Sequence, residues 1–296
     1  MSEPRHLEPL PLGGSSGVPY SKGLMARALM AAGVPALRAY DLALGVEADL
    51  EAQRTDTVDL DRLEVLAQDV LGVNEGADAV RRLRRFEELR ELDLPIILLV
   101  GGTTGTGKST VATEVAYRLG ITRVTSTDFV RQTMRAFLSE EFMPAIHESS
   151  FDAGVALGTD VVTGFVEQTR NVAVGVEATI DRVLREGWSL VLEGVHLVPG
   201  LLRPIEGALV VQCVLTIEDE AEHASHFWVR DRASAGLRPV EKYLDSLGRI
   251  RELQEFIVSR ARAAGVPLVE NGNMELAVSS VLELVLSSAE RFRIPA

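Results

Sequence analysis

The sequence predicts an α/β protein in two parts, with a doubly wound parallel sheet over residues 93–296 preceded by a small helical domain over residues 1–92. Three observations predict it. Apolar residues recur at helical spacing through the first part. At Leu94 the pattern changes to Pro95-Ile96-Ile97-Leu98-Leu99-Val100, an unbroken apolar run of the kind a strand buried on both faces shows. A glycine-rich loop and a helical pattern follow that run, and strand-like and helix-like stretches then alternate to the end of the chain.

From Pro9 to Pro19 the density of Pro, Gly and Ser predicts turns or a short hairpin. Ser21 is placed to cap a first helix carrying Leu24, Met25, Ala28 and Leu29, with Gly33 and Pro35 as stop signals. A second helix is expected over Pro35–Ala52. Asp59 or Asp61 opens a third with Leu60, Leu63, Leu66 and Val70, and Val80, Leu83, Phe86 and Leu89 mark a fourth. Beyond the first strand, further strands are expected at Ile121–Ser126, Ser189–Glu193, Leu209–Thr216 and Pro267–Glu270. The stretches between them are long enough for crossover helices. No internal repeat is evident.

Composition narrows the function classes. With 46% apolar and 25% charged residues, the chain has the makings of a large core and none of the signature of disorder. A formal net charge of −13 argues against nucleic acid and anionic membranes as partners, because both need clustered cations. Any phosphate site must be local. Cys213 is the only cysteine, so neither an internal disulfide nor a Cys-rich zinc site is expected, consistent with a reducing compartment. Glu3, Arg5, His6 and Glu8 give no targeting pattern, and Leu94–Val100 is far short of a membrane span. A cytoplasmic location is expected, and a homo-oligomer is compatible with the sequence.

Directly after the first strand stands Gly102-Thr103-Thr104-Gly105-Thr106-Gly107-Lys108-Ser109, followed by Thr110. This is a full P-loop pattern in its required strand–loop–helix setting, since Val111, Ala112, Val115, Ala116 and Leu119 share a helical face and Gly120 ends it. Glycines let successive backbone N–H groups turn toward phosphate oxygens, and the helix N-terminus adds partial positive charge. The pattern predicts ATP bound at residues 102–110, with Lys108 on the β- and γ-phosphates and Ser109 as a Mg²⁺ ligand.

The other candidates lie at strand ends. Asp128, after the second strand, is placed to orient an acceptor hydroxyl, although Ser126, Thr127 or Asp128 also reads as a helix cap. Arg131 and Arg135 are four apart and suit a fork for a small anionic acceptor, or else a solvated face. Glu193 ends the third strand, where a ligand for Mg²⁺ or its water belongs, and three residues on His196 reads either as a packing histidine or as a substrate contact. In the polar segment Glu218–Arg238, Arg230 and Arg232 are candidates for stabilising the transferring phosphoryl group from a lid, with Gly236 as hinge. His223 and His226 in the same segment lack evident companions for a zinc site.

Taken together, these residues resemble the 2-phosphoglycerate kinase family of the P-loop kinases. The resemblance spans nearly the whole chain. It rests on Pro19-Tyr20-Ser21-Lys22-Gly23-Leu24 with Ala39-Tyr40, the loop from Gly101 to Thr110, and Ser126-Thr127-Asp128 with Arg131. Met143-Pro144 with His147 and Ser149, and the run Glu193-Gly194-Val195-His196-Leu197-Val198-Pro199-Gly200, complete it. It implies ATP-dependent phosphorylation of 2-phosphoglycerate at its free hydroxyl, giving 2,3-bisphosphoglycerate. The first 90 or so residues are similar to an ATP-cone, a small helical nucleotide-sensing domain, with Arg81-Arg82-Leu83-Arg84-Arg85-Phe86 where such domains end. That likeness implies a regulatory or docking role.

Overall fold

The computed structural model describes residues 20–92, 94–233 and 240–293, with the side chains of residues 230–233 and 293 outside the description. The turns expected over Pro9–Pro19 and the hinge expected at Gly236 fall on residues that are not described.

Four helices open the chain: α1 (Lys22–Ala31), α2 (Ala36–Gln53), α3 (Leu60–Leu71) and α4 (Val73–Arg90). Their starts follow from local chemistry. The Ser21 hydroxyl accepts from the Leu24 N–H, and Asp59 accepts from the Arg62 N–H at 2.7 Å, each satisfying a donor that the first helical turn leaves open. Met25, Leu29, Leu42, Val46, Leu63 and Leu83 lie on the inner faces and are essentially inaccessible to water. Each such leucine contributes on the order of 2 kcal/mol relative to exposure. This helical unit also includes residues 115–122 and 282–296, which a sequence division at residue 92 assigns to the second part.

The second unit, residues 95–114 and 123–281, is built on the sheet. Its strands are β1 (Ile96–Gly101), β2 (Val124–Ser126), β3 (Leu190–Glu193), β4 (Leu209–Thr216) and β5 (Leu268–Glu270). They pair in parallel in the order β2-β3-β1-β4-β5. The connecting helices are α5 (Lys108–Leu119), α6 (Thr127–Arg135), α7 (Pro144–His147), α8 (Ala153–Leu157) and α9 (Val161–Arg185). After β4 come α10 (Glu220–Ala233), α11 (Val240–Asp245) and α12 (Leu247–Ala264), and α13 (Met274–Arg293) follows β5. β1 is buried at every position, as its unbroken apolar run requires. Alternate residues serve opposite faces: Ile97 and Leu99 pack with Val172, Val176 and Ile180 of α9, while the other core layer gathers Val214 with Ile250, Leu253 and Ile257 of α12.

This topology positions the site. The chain runs from β1 to β2, returns to β3 in between, and then crosses to β4 on the far side of β1. The strand order therefore reverses at β1, and the crevice beyond the carboxyl ends of β1 and β3 is where an open α/β sheet binds its ligands.

Candidate active site

Three loops meet at those carboxyl ends. The first, after β1, is the glycine-rich loop: Gly102, Gly105 and Gly107 have φ of 134°, 90° and 77°, values that L side chains rarely adopt. Lys108, at the head of α5, is buried, and its ammonium group donates to the Thr103 carbonyl at 2.5 Å. Burial lowers its pKa, against the opposing pull of Glu193 and Asp128. Thr103 O also receives the Thr106 hydroxyl at 3.0 Å and, through a longer 3.4 Å bond, the Thr106 N–H.

The second loop supplies Glu193, which is 8% exposed at the end of β3, and the Ser109 hydroxyl donates to its Oε1 at 2.9 Å. Sequence positions 84 apart are thus brought into one oxygen-rich corner. Gly194 follows with φ 154°, and a Cβ there would fall on the Thr127 hydroxyl, so the backbone of the β3 loop lies directly against the Thr127 side chain at the start of α6.

The third loop carries Asp128. Ser126 caps α6 by accepting from the Phe129 N–H at 3.0 Å, so the capping role read as an alternative for this triplet falls to Ser126. Asp128 is therefore free for other work. Its Oδ1 accepts Nε and Nη2 of Arg131 at 3.1 and 2.7 Å. Arg131 Nη1 donates to the carbonyls of Ile146 and Glu148 at 2.8 and 2.6 Å. Arg131 is only 8% exposed, with its guanidinium turned into the protein. Arg135, half-buried, has Gln132 as its hydrogen-bond partner at 3.4 Å. The shared fork expected from Arg131 and Arg135 is not formed, because the carbonyls of the α7 turn draw the first guanidinium inward.

His196 also departs from the substrate-contact alternative. It is 1% exposed, with Nδ1 2.8 Å from the Thr127 hydroxyl and Nε2 2.9 Å from Gln168 Oε1. Gln168 in turn donates to the carbonyls of Ala145 and Glu148. Desolvation, and after it the charge of Arg131, lowers the His196 pKa to about 3, so the ring is neutral at physiological pH. Both ring nitrogens are occupied by protein. His196 thus braces the Asp128 and Glu193 loops rather than facing the crevice.

The chain is 36% identical over 274 residues to a 2-phosphoglycerate kinase of Methanothermobacter thermautotrophicus, covering 90% of this chain and 89% of that protein. It is 34% identical over 278 residues to a 2-phosphoglycerate kinase of Pyrococcus furiosus, covering 92% and 91%. The chain belongs to the 2-phosphoglycerate kinase family. It is by that membership an ATP-dependent small-molecule kinase. No family model matches the chain. Among solved structures, a shikimate kinase from Acinetobacter baumannii in complex with shikimate aligns at 16% identity with a TM-score of 0.40, covering 66% of this chain and 94% of that one.

A kinase of this family takes ATP as substrate and typically uses a divalent metal, and the donor set of this 2-phosphoglycerate kinase family member fits both. The glycine backbone and the α5 N-terminus suit phosphate oxygens. The Ser109 hydroxyl beside the Glu193 carboxylate offers hard oxygen ligands. Among the described residues no group of three or more His, Cys, Asp or Glu forms a metal cage. Among the described residues no helix is long and apolar enough to cross a membrane. Cys213 is buried in β4 with its thiol pKa pushed up to about 12 by burial, so it offers no reactive thiolate. The side chains of Arg230 and Arg232 lie outside the described residues, although α10 carries both.

Three contributors escaped the sequence reading: Gln168, Thr127 through its hydroxyl, and Asn271, which donates to the Thr106 carbonyl at 2.9 Å. Only Thr127 carried a signal, as the neighbour of Asp128. Gln168 and Asn271 act on backbone carbonyls supplied by distant segments, which no local pattern announces.

Proposed function

We propose that this protein transfers the γ-phosphoryl group of ATP to the free hydroxyl of 2-phosphoglycerate, giving ADP and 2,3-bisphosphoglycerate. The observation that carries the reading is the Ser109–Glu193 pair beside the buried Lys108, at the strand ends that also present Asp128. The hydroxyl oxygen of the acceptor attacks the γ-phosphorus as the bond to the β–γ bridging oxygen breaks, and ADP leaves with that electron pair. Asp128 orients the hydroxyl and takes its proton. Arg131 occupies Oδ1 of that carboxylate, which leaves Oδ2 for the acceptor and makes Arg131 a positioning residue. Arg135 is the arginine of this pair assigned to the acceptor's anionic groups.

Lys108 moves from the Thr103 carbonyl to the β- and γ-phosphates when the nucleotide enters, exchanging a neutral acceptor for a charged one. Ser109 and Glu193 would hold Mg²⁺, which when bound neutralises developing charge on the phosphate oxygens. Arg230 and Arg232 are assigned to the transferring phosphoryl group, a role that water exclusion would strengthen. Catalysis is then mostly positioning and charge stabilisation.

The deciding measurement is ADP release with 2-phosphoglycerate, with glycerate and with no acceptor. Release that depends on 2-phosphoglycerate and yields a bisphosphorylated product supports the assignment. Release driven by glycerate or another hydroxy or sugar acid instead would reassign the acceptor while leaving the phosphotransfer chemistry in place.

A further inference from the structure

The geometry points to a clamp on the back of the phosphate loop, in which His223 and His226 of α10 and Asn271 after β5 are positioning residues that hold three successive loop peptides for phosphate binding. The observation is a run of contacts. His223 Nε2 lies 2.8 Å from the Thr104 carbonyl oxygen, His226 Nδ1 lies 2.9 Å from that of Gly105, and Asn271 Nδ2 lies 2.9 Å from that of Thr106. A carbonyl oxygen only accepts, so all three nitrogens donate, which places a proton on Nε2 of His223 and on Nδ1 of His226.

Planar trans peptides convert this anchoring into orientation. Within one peptide unit the C=O and the following N–H point in opposite directions. Holding the carbonyls of 104, 105 and 106 from α10 and β5 therefore turns the N–H groups of 105, 106 and 107 the other way. The Thr106 N–H shows this for its own peptide, since it reaches the Thr103 carbonyl at 3.4 Å, the same oxygen that Lys108 holds. The clamp is tight. His223 is fully buried and stacks on Phe227 with ring centroids 5.4 Å apart, and Phe227 stacks on Tyr243 at 5.2 Å. A Cβ on Gly105 would come within 2.7 Å of the Phe227 ring. His223 Nδ1 and Asn271 Oδ1 are buried without a hydrogen-bond partner in the protein, so each side chain leaves one polar atom unsatisfied while the other holds the loop.

This inference rests on the nucleotide binding in the loop. Fixing the peptides before ATP arrives removes an ordering cost from binding, so loosening them weakens ATP while leaving the acceptor site unaffected. The test is ATP affinity by calorimetry on the full chain, alongside the acceptor KM and the melting temperature without ligand. His223→Leu, His226→Ala and Asn271→Leu are each expected to raise the ATP Kd about tenfold and change the acceptor KM less than about twofold. His223→Gln and His226→Asn, which keep a donor nitrogen near the native position, are expected to restore most of the affinity. If the buried variants fail to fold, the half-buried His226 pair carries the test alone. Folded variants that bind ATP as tightly as the parent would overturn the clamp. So would ATP and acceptor constants that worsen in parallel with melting temperature and are not rescued. An ATP Kd indifferent to Lys108→Ala would instead remove the nucleotide from the loop, and the clamp would fall with that reading.

Discussion

Lys108, Ser109, Glu193 and Asp128 were legible in the sequence because each stands at a strand end or inside a motif whose spacing has a mechanical reason. Replacing Lys108 with Ala is expected to lower phosphoryl transfer by at least about 10²-fold, the scale for losing one preorganised contact to transition-state charge. Melting should shift little, because Lys108 donates to one loop carbonyl and anchors no core packing. Steady-state turnover beside a thermal melt checks both parts. His196 was the residue whose direction could not be read: polar residues next to an active-site loop face either way, and here burial decides. Its pKa is about 3 in the fold against 6.5 in the unfolded chain, so between those values the unfolded chain holds a proton that the native protein does not. Stability is therefore complete above about pH 6.5 and falls on acidification, by at most about 1.4 kcal/mol per pH unit from this group. His196→Gln removes that contribution, and urea unfolding at pH 7 and pH 5 should show a smaller acid loss than in the parent. An equal loss in both proteins would deny the histidine this role.

At the level of elements, amphipathic helices and apolar strands were legible, including the short β3 and β5, while the shortest helices were silent. α2 (Ala36–Gln53) and β4 (Leu209–Thr216) lie within a residue of their expected bounds, since an amphipathic stripe or an extended apolar run identifies itself. The strand expected from Ile121 begins only at Val124: Ile121 is buried beside Gly120 in the loop that follows α5, so its apolarity reports packing rather than extension. α7, α8 and α11 have four to six residues each and are too short to show a period. Arg131 ties α7 to α6, with one guanidinium joining Asp128 to the carbonyls of Ile146 and Glu148. A sequence shows the charge and not this crossing. Truncating Arg131 to Ala removes the donor to the Ile146 carbonyl and to the Asp128 carboxylate, while the Glu148 carbonyl keeps Gln168 at 3.1 Å. The cost is expected to be about 2–3 kcal/mol, allowing for the half-exposed carboxylate recovering water. Because Asp128 also loses its orientation, kcat should fall while the ATP Kd stays near the parent value. Arg131→Lys, with no fork, should recover little of either.

At the scale of the whole molecule, the helical unit has to be explained, because the sheet unit carries the glycine-rich loop, the Ser109–Glu193 pair and Asp128 on its own. Its basic run, Arg81 to Arg85, and the expected ATP-cone likeness would put a second nucleotide site there. The observed pairings argue for a structural role instead. Arg81 pairs with Asp78, Arg82 donates to the Ala32 carbonyl at 2.9 Å, and Arg84 meets Asp61 at 2.9 Å. Arg85 spreads its fork over Glu283 at 2.8 Å and Glu290 at 2.5 Å, the charge-assisted bonds holding the Glu283 pKa below the usual carboxylate range. Lys22, one of three lysines in the chain, is matched with Glu47 at 2.8 Å. A cavity of about 430 Å³ in this unit is lined by Asp49, Gln53, Asp59 and Arg62, and Arg62 is already paired with Asp49, so its rim repels rather than attracts a triphosphate. The expected ATP stoichiometry is one per chain, measured by calorimetry. Deleting residues 1–92 removes Arg85 and the Leu29, Leu42, Leu63 and Leu83 core while leaving 115–122 and 282–296, the other members of the unit, without their partners. That deletion should yield a chain that melts at least several degrees lower or aggregates, because Glu283 and Glu290 lose the Arg85 fork that pairs with them in the native protein and the retained segments lose the unit they belong to. Two ATP molecules per full chain, together with a soluble truncated kinase whose ATP response has changed, would restore the regulatory reading.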